Sequence, residues 1–546
     1  MNRYKYLIIL ALFTYHLISA QSIPIKGIVK DSETGLPIKN VTVFIPEMQM
    51  HTSTDSKGNF NFKNIIGNEF TLSFIRVGYR EYTQPVIFID GINLNLEISM
   101  VRSDLILGEA VVTSMRSARS VKDVPLPIEL IDEKTVDKSI KISTSDVIEK
   151  APGVSLVSDG SWATGVNIRG LSKQNIVYLI DGNRIETSTN ISAGLSLVDL
   201  YDVKNIEIVK GGLSSLYGTG ATGGVINILT HKVTANESLI VHGSFGSSFT
   251  SVNNGKAASL NLNISDKIWH ANFTGTLRNA EDTKIPDGTL TNSGFKDNSI
   301  SFTAGVLPFE NTELIFNYQK FTAKDVGIPG GSPFPPNAKA TYKYAGRELY
   351  SGELKFQNLI HSLSNLKIKF YSQLIRREVE IIPNQNAVVE PEADHQTNGL
   401  LVQADWTLAK NHFLITGIDA WERSYIGERR KTIIPQNRVI IDKPVPNSKF
   451  RTLGFFANDE LHLVKNRFKL NFGARYDFIR VTNDQTNNPV SIITNGNEIT
   501  PPPNPDASYD ASDVKNSSWS GNVGLLYSLF QDVSLTFNTA YNFRSP

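Results

Sequence analysis

From residue 235 onward, apolar and polar residues alternate in segments of roughly ten, separated by polar loops. Leu470, Phe472, Ala474, Tyr476 and Phe478 alternate with Asn471, Gly473, Arg475 and Asp477. Leu366, Ile368 and Phe370 alternate with Lys367 and Lys369, and Leu535, Phe537, Thr539, Tyr541 and Phe543 with Ser534, Thr536, Asn538, Ala540 and Asn542. A period of two marks an extended strand with two unlike faces. A soluble sandwich alternates as well. Here the polar face carries Arg, Lys and Asp at successive positions, which suits a barrel with lipid outside and a polar lumen. The pattern predicts about thirteen strands between residues 235 and 546.

Residues 22–100 are punctuated differently. Asp31-Ser32-Glu33-Thr34-Gly35 is a turn cluster, Val41, Val43 and Ile45 alternate, and Ser56-Lys57-Gly58-Asn59 turns again before Phe60 and Phe62. About five to seven short strands in this length predict a β-sandwich of immunoglobulin-like size. Residues 104–120 read as a linker, with a β-branched run from Leu105 to Thr113 and a polar, basic, flexible stretch from Ser114 to Ser120. A lone strand between two domains is either a linker that pairs with nothing, the commoner case for a short β-branched run, or open to capture by another protein's sheet edge. Residues 123–232 mix strands with a short helix, capped by Ser143 or Thr144 and ended by Pro152-Gly153.

The first segment is an address. Arg3 and Lys5 precede the apolar run Leu7 to Leu17, and Ser19-Ala20 supplies small residues, so residues 1–20 read as a secretory signal peptide. The run is interrupted by Tyr15 and His16 and falls short of the roughly 20 residues that span a bilayer. No later run is long and apolar enough either, so any crossing must use strands.

Composition narrows the chemistry. With 54 Lys+Arg against 53 Asp+Glu, the net charge of +1 provides no basic field for nucleic acid. Hydrophobic residues at 40% argue against a bundle of membrane helices, and 28 Phe and 18 Tyr beside 5 Met favour strands. The absence of cysteine excludes disulfides, thiol catalysis and Cys-based zinc sites. No nucleophile–base constellation or metal-ligand spacing stands out, so no catalytic residue, metal or cofactor is expected and the protein is not read as an enzyme. His51 has no ligand-spaced neighbours and is read as a solvated loop residue. Gly218-Thr219-Gly220-Ala221-Thr222-Gly223 matches the dinucleotide fingerprint, but a strand-like run, Val225 to Leu229, follows it. That fingerprint needs a helix N-terminus aimed at pyrophosphate, so it is rejected.

Several phrases carry a resemblance. Val166-Asn167-Ile168-Arg169-Gly170, Val177-Tyr178-Leu179-Ile180-Asp181-Gly182, Asn205 to Gly211, Ser214-Ser215-Leu216-Tyr217-Gly218 and Gly223-Gly224-Val225-Ile226-Asn227-Ile228 together resemble the plug domain of TonB-dependent outer-membrane receptors, across roughly residues 109 to 232. Phe455 to Glu460 and Gly473 to Asp477 resemble barrel strands of that family. Gly27 to Asp31, Thr34 to Ile38, Thr54-Asp55 and Gly58-Asn59-Phe60 resemble the carboxypeptidase regulatory-like domain, a module that carries no catalysis in its family.

The resemblance implies a mainly β protein: an N-terminal β-sandwich (22–100), a linker (104–120), a small α+β plug domain (123–232) and a transmembrane antiparallel β-barrel (235–546). It makes Glu109, Ala110, Val111, Val112 and Thr113 the TonB box, the periplasmic strand seized by a TonB-type energy-coupling protein. It makes Arg169, Gly170, Asp181, Gly182, Tyr217, Gly218, Gly223 and Gly224 plug-motif residues. Arg169 and Arg184 are the expected plug partners of Glu460 or Asp477 on the barrel. Ser158 to Thr164 and Thr187 to Gly194 are expected plug apices, with Trp162 and Arg184 as ligand-binding candidates. Loops Ile328 to Pro336 and 483–516 are expected to face outward, and His395 is read as a solvated loop histidine rather than a haem ligand. About thirteen strands against the roughly 22 of plugged transporters imply that the chain is a fragment with the first half or more of its barrel.

The function implied is TonB-dependent active uptake of a scarce nutrient, first an iron–siderophore complex. Haem, cobalamin, oligosaccharide, or a non-transporting binding or signalling receptor are the alternatives. The implied partners are a small-molecule ligand, outer-membrane lipid and the coupling protein, for a monomer in the outer membrane with its N-terminal domain in the periplasm.

Overall fold

The computed structural model describes residues 23–545 apart from short stretches, the longest being 88–94, 102–110 and 330–337. The expected signal peptide, Glu109, Ala110, Thr113 and most of the loop 328–336 lie outside the described residues. The chain divides into two compact units.

The first unit is a sandwich of two sheets. Ile23–Asp31 lies between Asn59–Ile65, antiparallel, and Asn95–Met100, parallel. The second sheet runs Met50–Ser53, Thr42–Ile45, Glu69–Ile75, Tyr82–Ile87. Alternate residues of both sheets point into one core holding Ile25, Val29, Val43, Phe60, Phe74 and Ile98. Phe60 and Phe74 meet edge to face with ring centroids 5.4 Å apart, and each such side chain contributes about 1.5–3 kcal/mol by leaving water. His51 is exposed on the strand Met50–Ser53 rather than in a loop.

The second unit places a small mixed domain against a long curved wall. The inner domain is built on a five-stranded sheet ordered Ile128–Ile131, Val203–Lys210, Gly224–Thr230, Ile176–Ile180, Asn183–Ile185, with only the third and fourth strands parallel. Its strands are apolar on both faces because both are covered. Ile176, Ile180, Ile226 and Ile228 point to a core shared with Phe321, Val326, Tyr342 and Ile375 of the wall. Val177, Leu179 and Val225 point the other way, to a core shared with Phe413, Ile415 and Phe456. Ser143 caps the helix Thr144–Ile148, with the Asp146 carboxylate accepting from the Ser143 N–H at 2.8 Å.

The wall is a sheet of antiparallel neighbours, whose main path comprises thirteen strands from Ile240–Thr250 to Val533–Tyr541. The first and last do not pair, so the barrel is not closed. Its faces are inverted relative to a soluble sandwich. Phe472 and Phe478 are 41% and 50% exposed, while Arg475 and Asp477 between them are 3% and 1% exposed. Leu262, Phe273, Phe302, Phe316, Phe370 and Phe455 continue the outward apolar belt, the arrangement that suits hydrocarbon outside and a polar interior. At one end, connections such as 266–268 and 310–311 are two or three residues long. At the other, the connections include 281–294, 434–447 and 484–511. The strands Lys339–Ile360, Leu363–Asn384, Ala387–Ala409 and His412–Ile433 have 22 or 23 residues, about twice what a tilted membrane crossing needs.

Candidate functional site

Two of the motif pairs are hairpin turns. Asp181-Gly182 joins Ile176–Ile180 to Asn183–Ile185, and Arg169-Gly170 joins Thr164–Ile168 to Leu171–Ser172. All four residues have φ between +51° and +82°, the condition a two-residue type I′ loop imposes and the reason for glycine at its second position. Asp181 also ties the domain together. Its carboxylate accepts from the Thr230 hydroxyl at 2.7 Å and Lys232 Nζ at 3.0 Å, and its carbonyl accepts from Lys369 of the wall at 2.5 Å. Burial works to raise the Asp181 pKa, but Lys232 and the Thr230 hydroxyl outweigh it and hold the carboxyl below its ordinary value.

Gly218, after the helix Ser214–Tyr217, has φ +72°, and the run through Gly223 leads into the strand Gly224–Thr230. No helix begins there, in keeping with the rejection of a dinucleotide site. Gly224 has φ +149°, and a Cβ on it would lie 2.3 Å from the Val209 carbonyl oxygen. Gly223 has no such φ, and its Cβ position is crowded by Leu171 and the Asn175 carbonyl at 3.0 and 3.1 Å.

The expected pairing of plug arginines with barrel carboxylates is corrected. Arg169 is exposed on its turn, and no ion pair joins it to a wall carboxylate among the described residues. Glu460 pairs with His462 and Asp477 with Arg475, both within the wall. Arg184 is buried and donates to Glu186 at 2.7 Å and to the carbonyls of Tyr217 and Thr219 at 2.9 and 3.0 Å. Wall cations also reach inner-domain carbonyls. Arg475 of the wall reaches the Leu216 carbonyl at 3.2 Å.

Arg116 makes the reverse contact, an inner-side cation on a wall carboxylate. It lies in the stretch expected to be flexible, yet Met115 beside it is buried. Its Nε donates to the Leu216 carbonyl at 2.9 Å and its Nη2 to Asp419 at 2.6 Å. The guanidinium also sits over the rings of Tyr217 and Phe456, at 4.7 and 4.6 Å. A planar cation with five donors fills such a cage where an ammonium would not. Just before it, Val111–Val112 pairs antiparallel with Arg119–Ser120.

A cavity of about 270 Å³ lies between the inner domain and the wall. On the inner side it is lined by Lys173, Gln174, Tyr178, Glu186, Thr187, Ser188, Thr189 and Gly194, and on the wall by Trp421, Arg423, Phe450 and Arg544. Phe450 lies at the start of Ser448–Leu463 and Arg544 beyond the end of Val533–Tyr541, which puts the cavity in the long-loop half. Trp421 and Phe450 stack with centroids 5.1 Å apart and planes at 17°. Arg184 covers the Trp421 ring at 4.9 Å and Arg423 the Phe450 ring at 5.3 Å. Arg423 also holds Glu186 at 3.3 Å and the Thr187 carbonyl at 3.2 Å.

Trp162 does not line this cavity. It is fully buried, and its indole N–H donates to Asp297 of the wall at 3.0 Å, so it braces the inner domain. His395 is corrected as well, since it lies on the strand Ala387–Ala409 with no exposed surface. Sequence reasoning missed Arg116, Asp419, Trp421 and Arg423. For Asp419, Trp421 and Arg423 the parity of the strand His412–Ile433 was the available signal: Phe413 and Ile415 are buried and Ile418 exposed, so odd-numbered residues face inward.

Comparison with known proteins follows the same division. The TonB-dependent Receptor Plug Domain matches residues 120–225, a CarboxypepD_reg-like domain residues 25–112, and the TonB dependent receptor-like beta-barrel residues 246–546, more than half the chain. The ferric aerobactin receptor of Klebsiella pneumoniae is 27% identical over 410 residues, covering 67% of this chain and 55% of that protein. The vitamin B12 transporter BtuB of Photobacterium profundum is 36% identical over 121 residues, covering 22% of this chain and 20% of that one. The chain therefore spans at most 55% of the length of these two relatives. Among solved structures, the copper transporter OprC aligns with a TM-score of 0.62 at 17% identity, covering 76% of this chain and 63% of that one. The unliganded ferric citrate transporter FecA aligns at 0.61 and 17%, covering 78% and 64%. At these identities the likeness to solved structures is one of fold.

Proposed function

Because this chain belongs to the TonB-dependent receptor family, whose barrel description covers more than half of it, we propose that it serves active import of a scarce nutrient across the outer membrane, with an iron chelate as cargo. The observation that carries this reading is the cavity in the long-loop half. Its lining sets Lys173, Arg423 and Arg544 against Glu186, which is itself held by Arg184 and Arg423. A surplus of positive charge favours an anionic cargo. Ser188 Oγ, Ser545 Oγ and Arg423 Nε are buried and find no hydrogen-bond partner among the described residues, and an oxygen-rich chelate would satisfy such donors. The stacked Trp421–Phe450 pair supplies a flat apolar surface for the rest of the ligand.

The proposed motor partner is a TonB-type energy-coupling protein that takes the strand around Val111–Val112 by edge addition, with that strand and the N-terminal sandwich on the periplasmic side. The cargo is bound and moved without chemistry on it. The test is Val111→Pro in the protein expressed in cells, since proline removes an N–H that strand addition requires. Accumulation of radioactive iron from the chelate should fall to background while binding at the cell surface persists. Undiminished accumulation would overturn the assignment of the coupling strand.

A further inference from the structure

Thr187, Ser188 and Thr189 form one side of the cavity, and they follow the strand Asn183–Ile185 without regular structure of their own. Two wall residues on neighbouring strands hold this segment. Arg423 takes the Thr187 carbonyl at 3.2 Å. His395 Nδ1 accepts the Ser188 N–H at 3.0 Å, and its Nε2 lies 3.4 Å from the Thr189 hydroxyl. A backbone N–H can only donate, so Nδ1 must be free of a proton, and the ring is the neutral tautomer protonated at Nε2. The ring packs against Tyr425 at a tilt of 46°, centroids 5.2 Å apart. The ring is thus fully enclosed with both nitrogens turned to the segment, an arrangement that leaves neither aimed at a ligand.

We propose that His395 is a positioning residue for the cavity, a neutral clamp that holds Thr187–Thr189 in the shape that receives cargo. The proposal rests on the cavity being the cargo site. An irregular segment of three residues lacks its own hydrogen-bonded ladder, so its conformation is set by what accepts its backbone donors. His395 and Arg423 share that task by chemistry: one neutral acceptor for an N–H, one cation for a carbonyl. Fixing the segment in advance removes an ordering cost that the cargo would otherwise meet on binding.

The test uses the full chain in detergent micelles and residue-resolved deuterium exchange at the Ser188 amide, with ferric citrate as the binding probe. His395→Phe keeps a planar ring but has no acceptor, whereas His395→Asn returns an oxygen near the position of Nδ1. The Phe variant should exchange Ser188 on the order of tenfold faster and bind the probe on the order of tenfold more weakly, and the Asn variant should recover both. The amides of Val203–Lys210 serve as the folding control and should be unchanged in both variants. Unaltered Ser188 exchange in the Phe variant, or equal acceleration in both variants, would overturn the clamp. Failure of the cargo reading would look different: the probe would not bind even the unaltered chain, while Ser188 exchange would still follow residue 395.

Discussion

Arg116 and Asp419 are 303 residues apart in the chain and 2.6 Å apart in the fold. The pair fastens the segment just after Val111–Val112 to the wall, and the same guanidinium grips the Leu216 carbonyl of the inner domain. Any pull applied at Val111–Val112 therefore reaches a buried ionic contact within a few residues. The next contacts along the same route are Tyr217 and Thr219, whose carbonyls are bonded to Arg184 beside the cavity.

Arg116→Met removes the cation and keeps much of the stem. Asp419 would retain Arg475 at 3.2 Å, so the cost should fall below the roughly 3–5 kcal/mol of a fully orphaned buried charge, at about 1–3 kcal/mol. Deuterium exchange should quicken in residues 115–120 and around Ser214–Tyr217, and stay unchanged in the first sandwich. Unchanged exchange at both places would show that the pair fastens nothing.

Gly224→Ala tests why the closing motif carries paired glycines. The added Cβ meets the Val209 carbonyl oxygen at 2.3 Å in a backbone conformation of φ +149°. Clash and strain together should cost about 2–4 kcal/mol in denaturant unfolding of the second unit. Gly211→Ala has φ +129° with nothing within 4 Å of its Cβ, so it reports strain alone and should cost about 1–2 kcal/mol. Equal losses at the two positions would contradict the packing argument.

Asp202 carries a pH dependence. Burial, with Asp199 beside it, pushes its carboxyl well above the ordinary range, against the hydroxyls of Ser301 and Thr274. A carboxyl with a raised folded-state pKa binds its proton more readily folded than unfolded. Its stabilising contribution is therefore full below the unfolded value of about 3.9 and is lost as pH rises through the folded value. Asp202→Asn is neutral at every pH and can still accept from Thr274, which donates to Asp202 at 2.9 Å. The variant should be the more stable form near pH 7, and the gap should narrow toward about pH 4. A gap independent of pH would contradict the argument.

What the sequence disclosed follows what is local. Alternation in Leu470–Phe478 announces its own faces, and Asp181-Gly182 and Arg169-Gly170 announce their turns, because neighbours in the chain set both. The inverted wall was legible for the same reason: charges at Lys367, Lys369, Arg475 and Asp477 lie on the face opposite Phe370 and Phe472. Partners across hundreds of residues were not legible. Arg169 and Arg184 looked equally able to reach Glu460 or Asp477, since a guanidinium pairs with any carboxylate in range and range depends on how the inner domain is docked. Arg116 looked like linker because its neighbours Ser114, Ser117 and Ser120 are polar, and its cage is assembled from Tyr217, Asp419 and Phe456. His395 sits beside Glu392 and Asp394, which suggested solvent, while strand parity turns its ring inward to Ser188.

The proposed occupant of the cavity lined by Trp421, Phe450 and Arg423 is an anionic iron chelate. The most direct measurement is a fluorescence titration of the purified chain with ferric citrate, ferric aerobactin and neutral cyanocobalamin, repeated with Trp421→Phe and Arg423→Gln. At least one ferric chelate should quench saturably, most of that quench should be lost in Trp421→Phe, and affinity should fall about tenfold or more in Arg423→Gln, the order expected for a charge-assisted contact. Saturable binding of cyanocobalamin alone, or chelate binding indifferent to Arg423, would contradict that assignment.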